Sequence, residues 1–90
     1  MSLIEKNRQQ KSKSNLSYIP LSMIKPKTQV VVKSISAKNY IRKFLSDLGF
    51  VQDAMVNVIA KFSGNIIVSV KGTRIGIDKS IASEIMTSIA

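Results

Sequence analysis

The 90-residue sequence contains no cysteine, no histidine and no tryptophan. Without cysteine the chain can form neither disulfides nor thiolate metal sites. Without histidine it lacks the most common general base and the most common ligand for transition metals. No hydroxyl nucleophile has an identifiable base, and the glycines do not follow the pattern of a phosphate-binding loop. We therefore predict no enzyme activity, no cofactor and no built-in metal site.

Long apolar runs are also missing. No run of about 18 apolar residues is present, so no segment is predicted to span a membrane. The polar N-terminus lacks the apolar region of a signal peptide, so we expect a cytoplasmic protein. Acidic residues are few: fourteen Lys and Arg against five Asp and Glu give a formal net charge of +9.

The positive charge is concentrated near the N-terminus. Residues 1–28 hold six of the fourteen basic side chains and one of the five acidic ones. The first part of this region, residues 1–17, is rich in Lys, Gln, Ser and Asn, which predicts a basic, disordered extension before a single domain at 18–90. Such an extension can bind nucleic acid or an anionic membrane surface, or it can be merely solubilising. The lack of interleaved aromatic residues favours the last interpretation.

A helix that turns directly into a strand is the most strongly specified unit. Between Ala37 and Phe62, apolar residues first follow a helical period and then, from Met55, alternate with a period of two. Gly49 lies just past the last apolar helical position, where a left-handed residue commonly ends a helix, and Phe50 can then fold back on the helix. The apolar helical stripe consists of Tyr40, Ile41, Phe44, Leu45 and Leu48.

Short β-branched segments surround this unit. We predict a strand before the helix, three strands after it and a final helix, at 29–36, 55–62, 66–71, 73–77 and 79–88. A turn signal at 63–65 separates the second strand from the third, and Gly72 breaks the chain before the fourth. Asp78 is a suitable N-cap for the final helix, and Ile81, Ile85 and Ile89 follow a helical spacing within it. These elements predict a mainly β fold: a small SH3-like barrel of about five short strands. The two helices would plug the barrel, and closure would protect the sheet edges.

Several motifs occur in an order that resembles one protein family. They are Leu21–Pro26, the valine strand ending in Ser34–Ser36, the helix end Leu45–Phe50, the hairpin strands, and Val70–Ile77 before the C-terminal segment. Together they resemble ferrous iron transport protein A, FeoA, over residues 18–89. The resemblance implies an accessory protein of bacterial ferrous iron uptake that acts on the membrane permease FeoB, whose cytoplasmic part is a GTP-binding domain.

Candidate contact residues lie on the helix, at its end and in the fourth strand. The basic side of the helix can steer an acidic partner, or it can simply be solvated. Arg74 could act in trans on GTP hydrolysis, or it could be an ordinary surface residue. The helix end could be structural, or Phe50 could be a partly exposed docking anchor. The predicted partner-binding residues are Lys38, Arg42, Lys43, Leu48, Gly49, Phe50 and Arg74.

Two other functions remain open at this point. A small basic barrel can bind nucleic acid, although most of the five aromatic side chains are expected to be buried and therefore unable to stack on bases. A regulatory domain of the kind found in metal-dependent repressors would need a separate DNA-reading helical domain, which we do not expect in this chain. We expect Met23, Met55 and Met86 to fill the core rather than to bind a soft metal. We expect a monomer or a weak oligomer.

Overall fold

The computed structural model describes residues 18–90. The predicted extension at 1–17 lies outside these residues. Within the described part, neither helix is long and apolar enough to cross a bilayer. The elements, in chain order, are β1 (Ile19–Pro20), a 3₁₀ turn (Leu21–Met23), β2 (Thr28–Ile35), α1 (Asn39–Leu48), β3 (Met55–Phe62), β4 (Asn65–Val70), β5 (Thr73–Asp78), α2 (Lys79–Ala82) and β6 (Ile85–Ile89).

The six strands form one antiparallel sheet in the order β1-β6-β2-β3-β4-β5. The predicted mainly β fold, with a helix after the first long strand, is confirmed. Register shifts interrupt the pairing of β2 with β6 and of β3 with β4. Bulges of this kind bend strands and increase their twist, so they help the sheet to curve around its core.

Two tight turns fix the register of β3, β4 and β5. The turn residues Ser63–Gly64 have φ values of 50° and 81°, and Lys71–Gly72 have values of 52° and 79°. A two-residue turn with positive φ at both positions is a type I′ turn, whose twist matches that of the two strands it joins. The turn predicted at 63–65 and the break predicted at Gly72 are therefore confirmed.

The C-terminal segment differs from the predicted helix. The helix α2 ends at Ala82, after four residues, and Ile85–Ile89 forms the strand β6. Residues four apart share a face in a helix and also share a face in a strand. The spacing of Ile81, Ile85 and Ile89 is therefore compatible with both structures, and the predicted extension of the helix to Ser88 is wrong.

Tertiary contacts select the strand for this segment. The strand β6 lies between β1 and β2 and pairs antiparallel with both. Its inward side chains, Ile85 and Thr87, are fully buried. The buried hydroxyl of Thr87 donates a hydrogen bond to the carbonyl oxygen of Ile19 at 2.7 Å. A strand in this position thus satisfies polar groups that a helix would leave without partners.

The sheet remains open between its two outer strands. Within residues 18–90, β1 pairs only with β6, and β5 pairs only with β4. The two outer strands do not pair with each other, so backbone hydrogen bonds do not close the curved sheet within residues 18–90. The helix α2 contacts β5 and the 3₁₀ turn that follows β1. Side chains also link the gap: Ser83 Oγ donates to Ser22 Oγ at 2.9 Å, and Lys61 Nζ donates to the Ser22 carbonyl at 3.0 Å.

The end of α1 is anchored in the core. Gly49 has a φ of 111°, Phe50 N–H donates to the Leu45 carbonyl at 2.9 Å, and Gly49 N–H donates to the Ser46 carbonyl at 3.0 Å. This is the predicted Schellman ending of the helix. The buried core around it consists of Leu21, Ile24, Val30, Val32, Leu45, Phe50, Val56, Val58, Ile66, Val68, Val70, Ile77, Ala82 and Ile85.

Replacing Gly49 by alanine should destabilise the domain more than replacing Gly64. A Cβ at position 49 would meet Val70 Cγ2 at 3.2 Å at a φ that L-residues rarely adopt. We expect Gly49→Ala to lower the free energy of unfolding by about 1–3 kcal/mol. Gly64→Ala is the matched control, because its φ is also positive and nothing lies within 4 Å of its Cβ. Equal losses in chemical denaturation would contradict the contact with Val70.

The cap of α2 should make stability depend on pH in the acid range. The hydroxyl and the backbone N–H of Ser80 donate to Asp78 and hold the pKa of Asp78 below its usual value of 3.8. The Asp78 carboxyl group therefore binds a proton more readily in the unfolded chain than in the folded chain. The stabilisation that the Asp78 cap gives is present above pH 3.8 and is lost as pH falls through the folded pKa. Asp78→Asn keeps an oxygen that can cap the helix but cannot titrate. The unfolding midpoint of Asp78→Asn should fall less with acidification than the midpoint of the wild type. If both midpoints fell equally with pH, Asp78 would not be the source of the pH dependence.

Candidate functional site

The helix α1 presents a basic side that faces away from the core. The helical period places Ile41, Leu45 and Leu48 on one side, and only Leu45 is fully buried there. Arg42 and Lys43 lie outside this stripe and are exposed. The sequence thus makes a helix with one apolar side for the sheet and one charged side for solvent or a partner.

A groove runs between this basic side and strand β2. It has a volume of about 490 Å³. We call it the basic groove, and its lining residues are Val32, Lys33, Ser34, Ile35, Arg42, Lys43, Ser46, Phe50, Val51 and Gln52. The side chains of Val32 and Phe50 are buried beneath it, while the cationic and hydroxyl side chains are at its rim. This arrangement combines an apolar floor with polar and positively charged walls.

The electrostatics of the groove are one-sided. Its three cationic side chains are Lys33, Arg42 and Lys43, and no acidic residue lines it. Lys33 Nζ lies 3.6 Å from Asp53 Oδ1, so its charge is partly offset. Within residues 18–90, Arg42 and Lys43 form no ion pair. The net field in the groove therefore favours an anionic group.

The helix end supports the groove from below and is not a docking anchor. Phe50 is only 1% exposed, and Gly49 is buried as well. Of the two interpretations of the helix end, the structural one agrees with this burial, because the Schellman ending turns the Phe50 side chain into the core. Leu48 is half-buried and packs against the core. Gly49 and Phe50 are thus buried beneath the groove, and Leu48 remains partly accessible.

Lys38 and Arg74, the two remaining predicted residues, do not line the basic groove. Lys38 precedes α1 and lines a separate depression beside α2, together with Ile41 and Ile81. Arg74 is exposed on β5, opposite Ser69 of β4. The structure therefore brings Arg42, Lys43 and Phe50 together and places Lys38 and Arg74 elsewhere.

Exposed aromatic side chains were not expected. Tyr40 and Phe44 are 70% and 53% exposed, and Phe62 is 72% exposed. Tyr18 is also exposed, so the expectation that most aromatic residues are buried is wrong. A ten-residue helix that touches the sheet along one narrow stripe has no room for five inward residues. The i, i+4, i+7 spacing of Ile41, Leu45 and Leu48 could have separated the inner stripe from its aromatic flank.

The sequence analysis also missed Lys33 as a groove residue. Its place in a valine-rich strand indicated only that it points away from the buried neighbours Val32 and Val30. That it faces Arg42 and Lys43 depends on where α1 packs, which no local pattern specifies.

The three methionines within residues 18–90 differ in how far their side chains are exposed. Met23 and Met55 are exposed, so the core role predicted for them is wrong, whereas Met86 is half-buried. Among residues 18–90, no three Asp or Glu side chains lie close enough together to hold a metal ion.

Comparison with known proteins identifies the family. Residues 19–88 match the FeoA domain family. The chain belongs to the FeoA family. FeoA proteins are accessory proteins associated with ferrous iron transport, so the resemblance seen in the sequence is confirmed. No protein among those with curated functions matches this chain.

Solved FeoA structures share the fold of this FeoA protein. The crystal structure of an iron uptake regulatory protein (FeoA) is 30% identical, with a TM-score of 0.74, and the match covers 81% of this chain and 97% of the other. The FeoA protein of Chlorobium tepidum is 29% identical, with a TM-score of 0.73 and coverages of 79% and 70%. The zinc complex of Stenotrophomonas maltophilia FeoA, described as an SH3 domain protein, is 29% identical, with a TM-score of 0.70 and coverages of 78% and 89%. The predicted SH3-like fold is thus confirmed.

Repressor domains share the architecture at lower identity. A manganese-dependent transcriptional repressor in complex with manganese is 19% identical, with a TM-score of 0.76, and the match covers 81% of this chain and 37% of the repressor. This similarity shows a common fold.

Phe50 should be essential for stability, whereas Tyr40 should be dispensable. Phe50→Ala removes the largest fully buried side chain and should lower the free energy of unfolding by about 3–5 kcal/mol. Tyr40→Ala, which removes an exposed ring from the same helix–strand unit, should change it by less than about 0.5 kcal/mol. Thermal and urea unfolding measure both effects. A large loss for Tyr40→Ala would show that its ring packs on the domain.

Proposed function

We propose that this FeoA protein is a non-enzymatic, cytoplasmic accessory protein of bacterial ferrous iron uptake that docks on the FeoB permease and modulates it. The docking surface is the basic groove. Its partner is the cytoplasmic, GTP-binding part of the permease.

The basic groove carries this proposal. Arg42 and Lys43 are exposed, have no ion-pair partner within residues 18–90 and stand beside an apolar floor. Charged groups at a rim accelerate encounter with a partner of opposite charge, and an apolar centre gives affinity once water has been excluded. Within the domain, the Schellman ending holds the helix that carries both side chains, so the surface is preorganised.

Lys38 extends the positive surface at the start of α1, and Arg74 adds charge on another strand. In this proposal Lys38 contributes to long-range attraction only, because it does not line the groove. Leu48, Gly49 and Phe50 act through the position of α1. The proposal assigns no role in GTP hydrolysis to Arg74.

Iron is the cargo of the permease in this proposal and is not held by the FeoA protein. The Stenotrophomonas maltophilia relative is a zinc complex. This chain has neither histidine nor cysteine, and its described carboxylates do not converge. The donor set therefore does not fit a resident transition metal, which needs several ligands at one point.

Titration of the isotope-labelled protein with the soluble cytoplasmic domain of its cognate FeoB, at physiological salt, tests the proposal. Amide shifts should cluster along the groove, at 33–35, 42–46 and 50–52. Arg42→Glu and Lys43→Glu should each weaken binding about tenfold, because each turns an attraction into a repulsion. Lys25→Glu makes the same change of charge at an exposed position outside the groove and should leave affinity nearly unchanged.

Unchanged affinity in both groove variants, with the fold intact, would overturn the surface assignment. The exposed aromatic rings and the net charge make nucleic acid the alternative ligand to be tested. Binding of a single-stranded oligonucleotide that falls steeply with salt, without any response to the FeoB domain, would replace the permease by nucleic acid as the partner.

A further inference from the structure

The outer edge of β5 is the longest free strand edge in the described sheet. At the opposite end of the sheet, β1 has only two residues, and one of them is Pro20. The strand β5 has six residues and pairs with β4 in a continuous register, without the shifts that interrupt the pairings of β2 with β6 and of β3 with β4. Natural sheet edges are usually shortened, bulged or blocked by proline. The strand β5 has none of these three features, although it carries the charged residues Arg74 and Asp78 and is contacted by α2. Its outer edge pairs with no strand within residues 18–90, so it can pair with another strand whose charges are complementary.

Hairpin geometry identifies the backbone groups at this edge. In a two-residue hairpin the residues next to the turn form a hydrogen-bonded pair, and pairs of this kind then alternate along the strands. Starting from the pair of Thr73 with Val70, the backbone groups of Thr73, Ile75 and Ile77 therefore point to β4. Those of Arg74, Gly76 and Asp78 point away from β4, to the open edge.

The side chains on the exposed face of β5 are self-complementary. Ile75 and Ile77 point inward, whereas Arg74, Gly76 and Asp78 are exposed on the other face. If two copies of β5 pair antiparallel about Gly76, Arg74 of each copy lies opposite Asp78 of the other. The central position then carries no side chain, and the only atom within 4 Å of a Cβ there would be Ile67 Cδ1.

The hydrogen-bonding phase agrees with this register. The three residues whose backbone groups point to the edge are the same three that face one another in the pairing: Gly76 with its copy, and Arg74 with Asp78 on each side. Each such facing pair can exchange an N–H and a carbonyl in both directions. The charges of Arg74 and Asp78, the missing side chain of Gly76 and the direction of the backbone hydrogen-bonding groups therefore select the same register. In this register both pairs of Arg74 with Asp78 form at once.

We propose that two copies of this protein associate through β5, with a two-fold axis at Gly76 and two pairs of Arg74 with Asp78. The interface is one strand wide, so the dimer is weak and forms between micromolar and millimolar concentration. It is separate from the basic groove, and it joins the two sheets into one continuous sheet of twelve strands, twice the six of each copy.

Sedimentation equilibrium from micromolar to millimolar protein, with amide shifts recorded over the same range, tests this dimer. The wild type should change from monomer to dimer, with shifts concentrated at Arg74, Gly76 and Asp78. Gly76→Pro removes the N–H at the two-fold axis but none of the hydrogen bonds to β4, so it should abolish the dimer while the monomer stays folded. A wild type that stays monomeric at millimolar concentration, or a dimer that survives Gly76→Pro, would overturn the proposal.

Charge variants keep the test decisive if Gly76→Pro does not fold. Arg74→Glu places like charges opposite each other twice and should weaken the dimer about tenfold or more, whereas Lys25→Glu, with the same change of net charge, should not. Asp78→Lys also removes the cap of α2, so chemical denaturation first establishes that this variant is folded at the temperature of the assay. Mixing the folded Asp78→Lys protein with Arg74→Glu should restore association as a heterodimer, because each position 74 then faces a residue of opposite charge at position 78. Equal weakening by Arg74→Glu and Lys25→Glu, or no rescue in the mixture, would show that the copies do not meet in this register.

Discussion

The backbone conformation of Gly49 is the constraint on which the rest of the domain depends. Its φ of 111° ends α1, and the following residue, Phe50, donates back to Leu45 while its ring enters the core. The helix is otherwise held lightly, since Leu45 is its only fully buried side chain. Close packing of Gly49 against Val70 joins the helix end to β4, so the direction of the helix and the order of the core depend on one another.

The surface follows from this arrangement. Because only a narrow stripe of α1 touches the sheet, its basic side stands beside β2 and its aromatic flank remains exposed. The basic groove therefore forms only where α1 packs beside β2, and neither element supplies all of its lining residues. At the other end of the sheet, α2 contacts β5, while the outer edge of β5 pairs with no strand within residues 18–90. A FeoA domain of this kind thus carries two distinct exposed features, a charged groove and a strand edge, on a core that is built from few side chains.

Sequence reasoning succeeded where the determinant was local. The Gly49 ending, the turns at Ser63–Gly64 and Lys71–Gly72, and the capping of α2 by Asp78 depend on the conformational freedom or the hydrogen bonding of residues near in sequence. It failed for Ile85–Ile89, where one spacing satisfies a helix and a strand equally and a distant edge decided between them. It also failed for Tyr40, which was placed in the apolar helical stripe, because the burial of an apolar residue depends on what lies opposite it.

The sequence by itself determined the end of α1 and the turns between strands, the alternating strands, the basic character and the FeoA resemblance. These are carried by residue types and short spacings, and both act over a few residues. Only the tertiary structure decided that the final segment is a strand, that Lys33 joins Arg42 and Lys43 around one groove, and that the edge of β5 is free. These features require elements distant in the sequence to meet, and their free energy comes from burial and pairing across the fold, which no single segment encodes.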